Sequence, residues 1–244
     1  MLPIHTPLPT EPVQRDVMRM WWEQLCFMHW PYEADEVQAI LPEGLTADAW
    51  TDGKVYVGLI PFLMRVGFPG GRAMPGWAGV FCETNVRTYV TGPDGTPGVY
   101  FCSLEAGRLP ATAAARLTYG LPYFWADMSL ASSGSIWTYE SSRKWPGPKG
   151  ASHRSSVRVG EAIALDDVSP FEHYLTSRWG LYSTWRDRLL YAPVDHGRWP
   201  LQQAELLELD DQLITAAGLA APSDEPIVHW TTGTEVKIGL PRFA

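Results

Sequence analysis

"FCETNVRTYV", residues 81–90, is the stretch whose reading decides the fold. Its valines, threonines and aromatics mark a β-strand. One parity carries Phe81, Glu83, Asn85, Arg87 and Tyr89, and the other Cys82, Thr84, Val86, Thr88 and Val90. Successive strand residues point to opposite faces, so a carboxyl, an amide and a guanidinium stand in a row on one face. Either that face meets water or it lines a polar cavity inside the protein.

The flanking sequence builds a sheet around this strand. "TGPDGTPG" (91–98) is a strong turn signal and "VYFCSLEA" (99–106) returns as a second strand, giving an antiparallel hairpin. "RMWWEQLCFMHW" (19–30) reads as a buried strand, and "TDGKVYVGLIPFLM" (51–64) as a turn at Asp52-Gly53 followed by an apolar strand. "LPYFWADMSLASSGSIWTYESS" (121–142) gives two strands about a Ser-Gly turn, and "SHRSSVRVG" (152–160) alternates like a half-buried strand. Residues 180–209 supply two or three more, and "IVHWTTGTEVKIGLP" (227–241) reads as a last hairpin.

Helices are few and short. They are expected at 33–45, stopped by Pro42; at 110–121, with Pro110 in the first turn; at 169–179, capped by Ser169; and at 210–219. Residues 67–79 and "RKWPGPKG" (143–150) read as loops, and the proline-rich residues 1–16 as an arm. No repeat or long linker divides the chain, so residues 1–244 are expected to form one domain. The fold class is mainly β: an antiparallel β-barrel with a few short covering helices. Alternate barrel residues point inward, which would place Glu83, Asn85 and Arg87 in an interior cavity.

Composition narrows the function. Hydrophobic residues make up 45% and charged residues 19%, a globular balance rather than a disordered one. Net charge is −8, with four lysines among the 19 basic residues and no basic stripe, which argues against nucleic acid as a partner. No signal-peptide pattern or 18-residue apolar run occurs, so a cytoplasmic protein without a membrane span is expected. Three cysteines, Cys26, Cys82 and Cys102, show no metal spacing and are too few for a disulfide framework. Twelve tryptophans fit either a large aromatic core or a ligand-lined cavity.

Sequence motifs exclude several chemistries. There is no G-x-S-x-G beside Asp195-His196, no Walker loop, no G-x-G-x-x-G and no H-x-x-x-H or C-x-x-C, so no cofactor or metal is expected. Glu83 can serve as general acid or base, and Arg87 can hold a carboxylate bidentately. A polar pair satisfied within the barrel is the structural alternative, and it applies to Asn85 as well. His29, in "FMHWP", suits proton transfer, as does His196 in "VDHGRWPLQ"; hydrogen-bonded packing beside tryptophan is the alternative for both.

Several strings are distinctive together: "FMHWPYEADEVQAILPEGL", "GKVYVGLIPFLM", "FCETNVRTYV" with "GVYFCSLEA", "ARLTYGLPYFWADM", "RWGLYS" and "VDHGRWPLQQAEL". In this order, across roughly residues 20–240, they resemble the YqjF-like family of uncharacterised bacterial proteins, a branch of the acetoacetate decarboxylase-like superfamily. The resemblance implies a barrel around a small-molecule pocket, an organic acid as ligand and room for a homo-oligomer, but no known reaction. It matches Glu83 to the decarboxylases' central-strand glutamate. The place of their Schiff-base lysine falls at Tyr123, with Phe124 next, and their N-terminal arginine falls near Trp22 or Glu23. An imine mechanism needs an amine unprotonated near neutral pH, and neither that amine nor a lysine neighbour is present. Lys54, Lys149 and Lys237 read as solvent-facing; Lys144, in the Arg143-Lys144 doublet, reads as a solvated loop residue. Arg116 can substitute as anion holder, and Tyr119 and Tyr123 can supply phenol donors near the vacated lysine place. An exposed helix charge and core aromatics are their structural readings. The expectation is a pocket that handles a small keto or enol acid without an imine; the alternatives are a pocket that binds a small molecule without chemistry, or a structural or interaction protein whose barrel is filled by its own tryptophans.

Overall fold

The opening strand spans Val80–Thr91 (β4) and is buried on both faces, not one. The reason is its place in the sheet. Before it come β1 (Asp16–Glu33), β2 (Thr46–Ala47) and β3 (Lys54–Gly67). After it come β5 (Pro97–Ala106), β6 (Tyr123–Ser133), β7 (Ile136–Trp145), β8 (Ser152–Ala162) and β9 (Gly180–Trp185). The series ends with β10 (Arg188–His196), β11 (Leu201–Asp211), β12 (Ile227–Gly239) and β13 (Arg242–Phe243). Four short helices intervene: α1 (Ala34–Gln38), α2 (Gly76–Gly79), α3 (Pro170–Thr176) and α4 (Leu213–Ala216). This computed structural model describes residues 8–9, 12–68, 72–108 and 120–244. Residues 110–119 of the expected helix at 110–121, with Arg116 and Tyr119, fall outside the described residues, Gly120 and Leu121 are not helical, and most of the 1–16 arm also lies outside the described residues.

Nine strands close into a barrel in the order β5-β6-β7-β8-β11-β12-β1-β3-β4, sealed by the β4–β5 hairpin. A second closure shares five of them. β9 pairs with the first half of β5, β10 pairs with the last part of β12, and β9 pairs with β10. The wall β12-β1-β3-β4-β5 therefore has a core on each face. Cys26, Met28, Val57, Leu59 and Val86 pack toward β7, β8 and β11 on one side. Phe27, Ile60, Phe62, Tyr89 and Phe101 pack toward β9, β10 and α3 on the other. Each such fully buried side chain contributes about 1.5–3 kcal/mol.

A bulge decides which β1 residues reach which core. Gln24 has φ 44°, and the β1–β3 register shifts between Glu23 and Met28. Parity switches there: Met20 and Trp22 share a core with Leu25 and Phe27. Opposite lies Gly233 (φ 114°), where a Cβ would fall 1.9 Å from the Trp22 carbonyl oxygen, so only glycine fits. This corrects the expected hairpin at 227–241, because "TTGT" is a bend within one continuous strand.

Other boundaries move as well. β7 runs to Trp145, so Arg143 and Lys144 are strand residues rather than loop residues. The helix expected at 33–45 ends at Gln38, and that expected at 210–219 shrinks to four residues because Asp210 and Asp211 extend β11. Part of the 67–79 loop forms α2. The third helix keeps its reading: Ser169 and Glu172 form a capping box with Pro170 at the first position, though it stops at Thr176. The sheet is mixed, since β5 runs parallel to both β6 and β9. Among the described residues, no helix is long and apolar enough to cross a membrane.

Candidate functional site

Glu83, Asn85 and Arg87 project from one face of β4 into the core closed by β9, β10 and α3, and are 2%, 0% and 4% exposed. Two neighbouring chambers lie there. One of ≈ 70 Å³ holds Glu83 and Tyr123 among Met20, Met64 and Leu104. The other, of ≈ 30 Å³, holds Arg87, Arg178, Thr176 and His196. Trp22, Phe101, Leu181 and Ile238 wall both.

At the first end, Tyr123 opens β6 beside Leu104, and its phenol donates to Glu83 Oε2 at 3.0 Å. Burial pushes the Glu83 carboxyl up to about 8, the nearby Glu105 charge adds to this, and the Tyr123 hydrogen bond opposes it. At neutral pH Glu83 is therefore mostly a neutral acid, able to donate. Burial, with Glu83 beside it, also holds the Tyr123 phenol well above its ordinary value.

The second end is cationic. Arg178 Nη1 donates to Asp48 Oδ2 at 2.6 Å and its Nε to the Tyr174 carbonyl at 3.0 Å, with the guanidinium 4.4 Å from the Tyr89 ring centre. Arg178 Nη2 has no hydrogen-bond partner. Arg87 donates from Nη2 to the Leu175 carbonyl at 3.2 Å, its Nε has no partner, and among the described residues no carboxylate pairs with it. Both amide atoms of Asn85 are likewise buried without a partner. Buried polar groups are ordinarily satisfied, so the unpartnered N–H groups of Arg87 and Arg178, which line one chamber, suit a polar ligand, whereas Asn85 lines neither chamber.

His29 stands behind this end and lines neither chamber. Its Nε2–H donates to Tyr89 Oη at 2.7 Å, and Tyr89 donates to the Leu175 carbonyl that also receives Arg87. Burial first, then the charge of Arg87, lowers the His29 pKa well below its ordinary value, so the ring is neutral. It is a brace for the Arg87 end. His196 does line a chamber, 4.4 Å from the Trp179 ring centre and 4.9 Å from that of Trp199, and burial lowers it to about 4.

The sequence reading passed over Arg178, which it placed inside a helix. Its role depends on Asp48, 130 residues earlier. All four lysines lie outside the chambers: Lys54 pairs with Glu33, Lys144 with Asp127 and Lys237 with Glu235, while Lys149 is exposed. Arg143 belongs to the opposite face, where it is buried against Glu105 and Ser103. Among the described residues, no group of three or more His, Cys, Asp or Glu is arranged to hold a metal.

This strand order is an acetoacetate decarboxylase-like fold, as solved structures show. An acetoacetate decarboxylase-like enzyme from Sphingomonas wittichii RW1 superposes with a TM-score of 0.65 at 15% identity, covering 94% of this chain and 93% of that one. The acetoacetate decarboxylase of Legionella pneumophila gives 0.62 at 14% identity, covering 98% and 89%. The enduracididine biosynthesis enzyme MppR complexed with pyruvate gives 0.62 at 13% identity, covering 93% and 90%.

Within that fold the chain belongs to the family described as an uncharacterized conserved protein, DUF2071, whose model matches residues 19–235. The uncharacterized protein YqjF of Bacillus subtilis (strain 168) is 33% identical over 227 residues, covering 90% of this chain and 89% of that one.

Proposed function

We propose that the protein acts on a keto or enol carboxylic acid by acid–base chemistry, without an imine. The observation that carries this reading is a buried Glu83, held mostly as the neutral acid, in a chamber that shares walls with the one lined by arginine N–H groups lacking protein partners. Arg87 and Arg178 receive the substrate carboxylate. Glu83 gives its proton to the enol carbon, and its carboxylate then accepts the enol hydroxyl proton, restoring the acid in each cycle. Tyr123 holds the carboxyl in place during both transfers. The structural likeness to a pyruvate-complexed enzyme supports an oxo acid as ligand. The lysine positions support a route that forms no covalent bond to the protein.

The test is deuterium exchange at the α-carbon of oxo acids in D₂O, followed by NMR. Wild-type protein should catalyse exchange, and Glu83→Gln should slow it by about 10²–10⁴-fold while still binding the acid. Equal exchange in the two proteins would overturn the assignment of Glu83. Saturable binding with no exchange by either would make the protein a carrier rather than an enzyme.

A further inference from the structure

We propose that the ligand is an elongated oxo acid, with several methylenes between its carboxylate and its reacting carbonyl, lying across both chambers. This rests on the functional reading above and adds the ligand's length.

Glu83 and Arg87 lie four residues apart on β4, and the bulge at this level falls on β5, because Val86 pairs with Ser103 and Arg87 with Phe101. An extended strand rises about 3.3 Å per residue, so their Cα atoms stand about 13 Å apart. The Arg87 guanidinium stays near its own level, 5.5 Å from the Phe27 ring centre and 5.8 Å from that of Tyr89. Glu83 is turned to Tyr123 at the other end. Taking both functional groups at the levels of their own Cα atoms, hydrogen bonds of about 2.8 Å at each end leave about 7 Å between the ligand's own oxygens. A 2-oxo acid carries its oxygens on adjacent carbons and cannot reach both ends at once.

The two chambers have the matching shape. One water takes about 10–15 Å³ of such space, so the ≈ 30 Å³ chamber suits a carboxylate and the ≈ 70 Å³ chamber a chain of several atoms. The shared walls, Trp22, Phe101, Leu181 and Ile238, suit methylenes. Asn85 lines neither chamber. It lies midway on the same face, wholly buried, with neither amide atom partnered.

Calorimetric titration with pyruvate, 4-oxopentanoate, 5-oxohexanoate and 7-oxooctanoate tests this. Each methylene buried in the shared walls should tighten binding about fourfold, so 5-oxohexanoate, with three methylenes more than pyruvate, should exceed it by about sixtyfold. Glu83→Gln and Arg87→Met should each weaken 5-oxohexanoate, whereas pyruvate should respond to Arg87→Met alone. Pyruvate binding as tightly as the longer acids would overturn the length inference and leave the functional reading standing. Binding of none of them to the wild type would overturn both, and the wild-type series decides this even if a variant fails to fold.

Discussion

Arg87 and Arg143 are both almost wholly buried, on opposite faces of the wall formed by β4 and β5, yet they are treated differently. Arg143 donates from Nε to Glu105 Oε1 at 2.8 Å and from Nη2 to the same oxygen, and reaches Ser103 Oγ at 3.3 Å. Ser103 closes the ring by donating to Glu105 Oε2 at 2.8 Å, and the Phe124 ring centre lies 3.6 Å from the guanidinium. Arg87 has one carbonyl, two aromatic neighbours and no carboxylate among the described residues. A charge with its counter-ion inside the fold belongs to the scaffold. A charge left open toward a cavity is the one we propose receives an anion from outside.

The sharpest way to break this contrast is to remove one partner of the satisfied pair. Glu105→Leu strands the Arg143 charge and should cost about 3–5 kcal/mol in urea unfolding, while adding Arg143→Met should recover most of that loss. If Glu105→Leu is harmless, the scaffold half of the contrast fails.

The next largest effect is a pH dependence from Glu83. Its folded-state pKa, about 8, lies above the ordinary value of 4.5. Between these values the folded protein holds a proton that the unfolded chain has released, so stability falls as pH rises from about 4.5 to 8. The loss should be on the order of a few kcal/mol. Glu83→Gln should flatten that slope in thermal melts recorded across the range, and an unchanged slope would place the proton elsewhere.

A smaller effect tests the brace behind Arg87. At Gly58 a Cβ would stand 2.9 Å from His29 Nε2 and 3.1 Å from Ile60 Cδ1. Gly58→Ala should cost about 1–3 kcal/mol through overpacking. It should also weaken acid binding, because the His29–Tyr89–Leu175 chain holds the carbonyl that receives Arg87. The smallest effect on stability is Arg87→Met, expected to change it by less than about 1 kcal/mol or to raise it, because an unpaired buried charge is replaced by apolar atoms.

The polar row on β4 was legible because strand parity needs only a single segment to be read. Its both-sided burial was not, since Val86 and Thr88 face a second core built from strands more than fifty residues away. The Glu83–Tyr123 pairing was reachable only through family resemblance, because its geometry depends on parallel pairing of β5 with β6. Arg143 was hidden by the Pro/Gly-rich residues after it, which read as loop. Arg178 was hidden because its partner, Asp48, is distant in sequence. Gly233 misled in the other direction, as a turn signal that is a bend facing a bulge.

The most direct test is calorimetric titration of 5-oxohexanoate into the wild type and Arg87→Met, with unfolding midpoints measured for both. The account predicts binding to the wild type, loss of that binding in the variant, and equal or greater stability of the variant. A variant that binds as well as the wild type, or one that no longer folds, would contradict it.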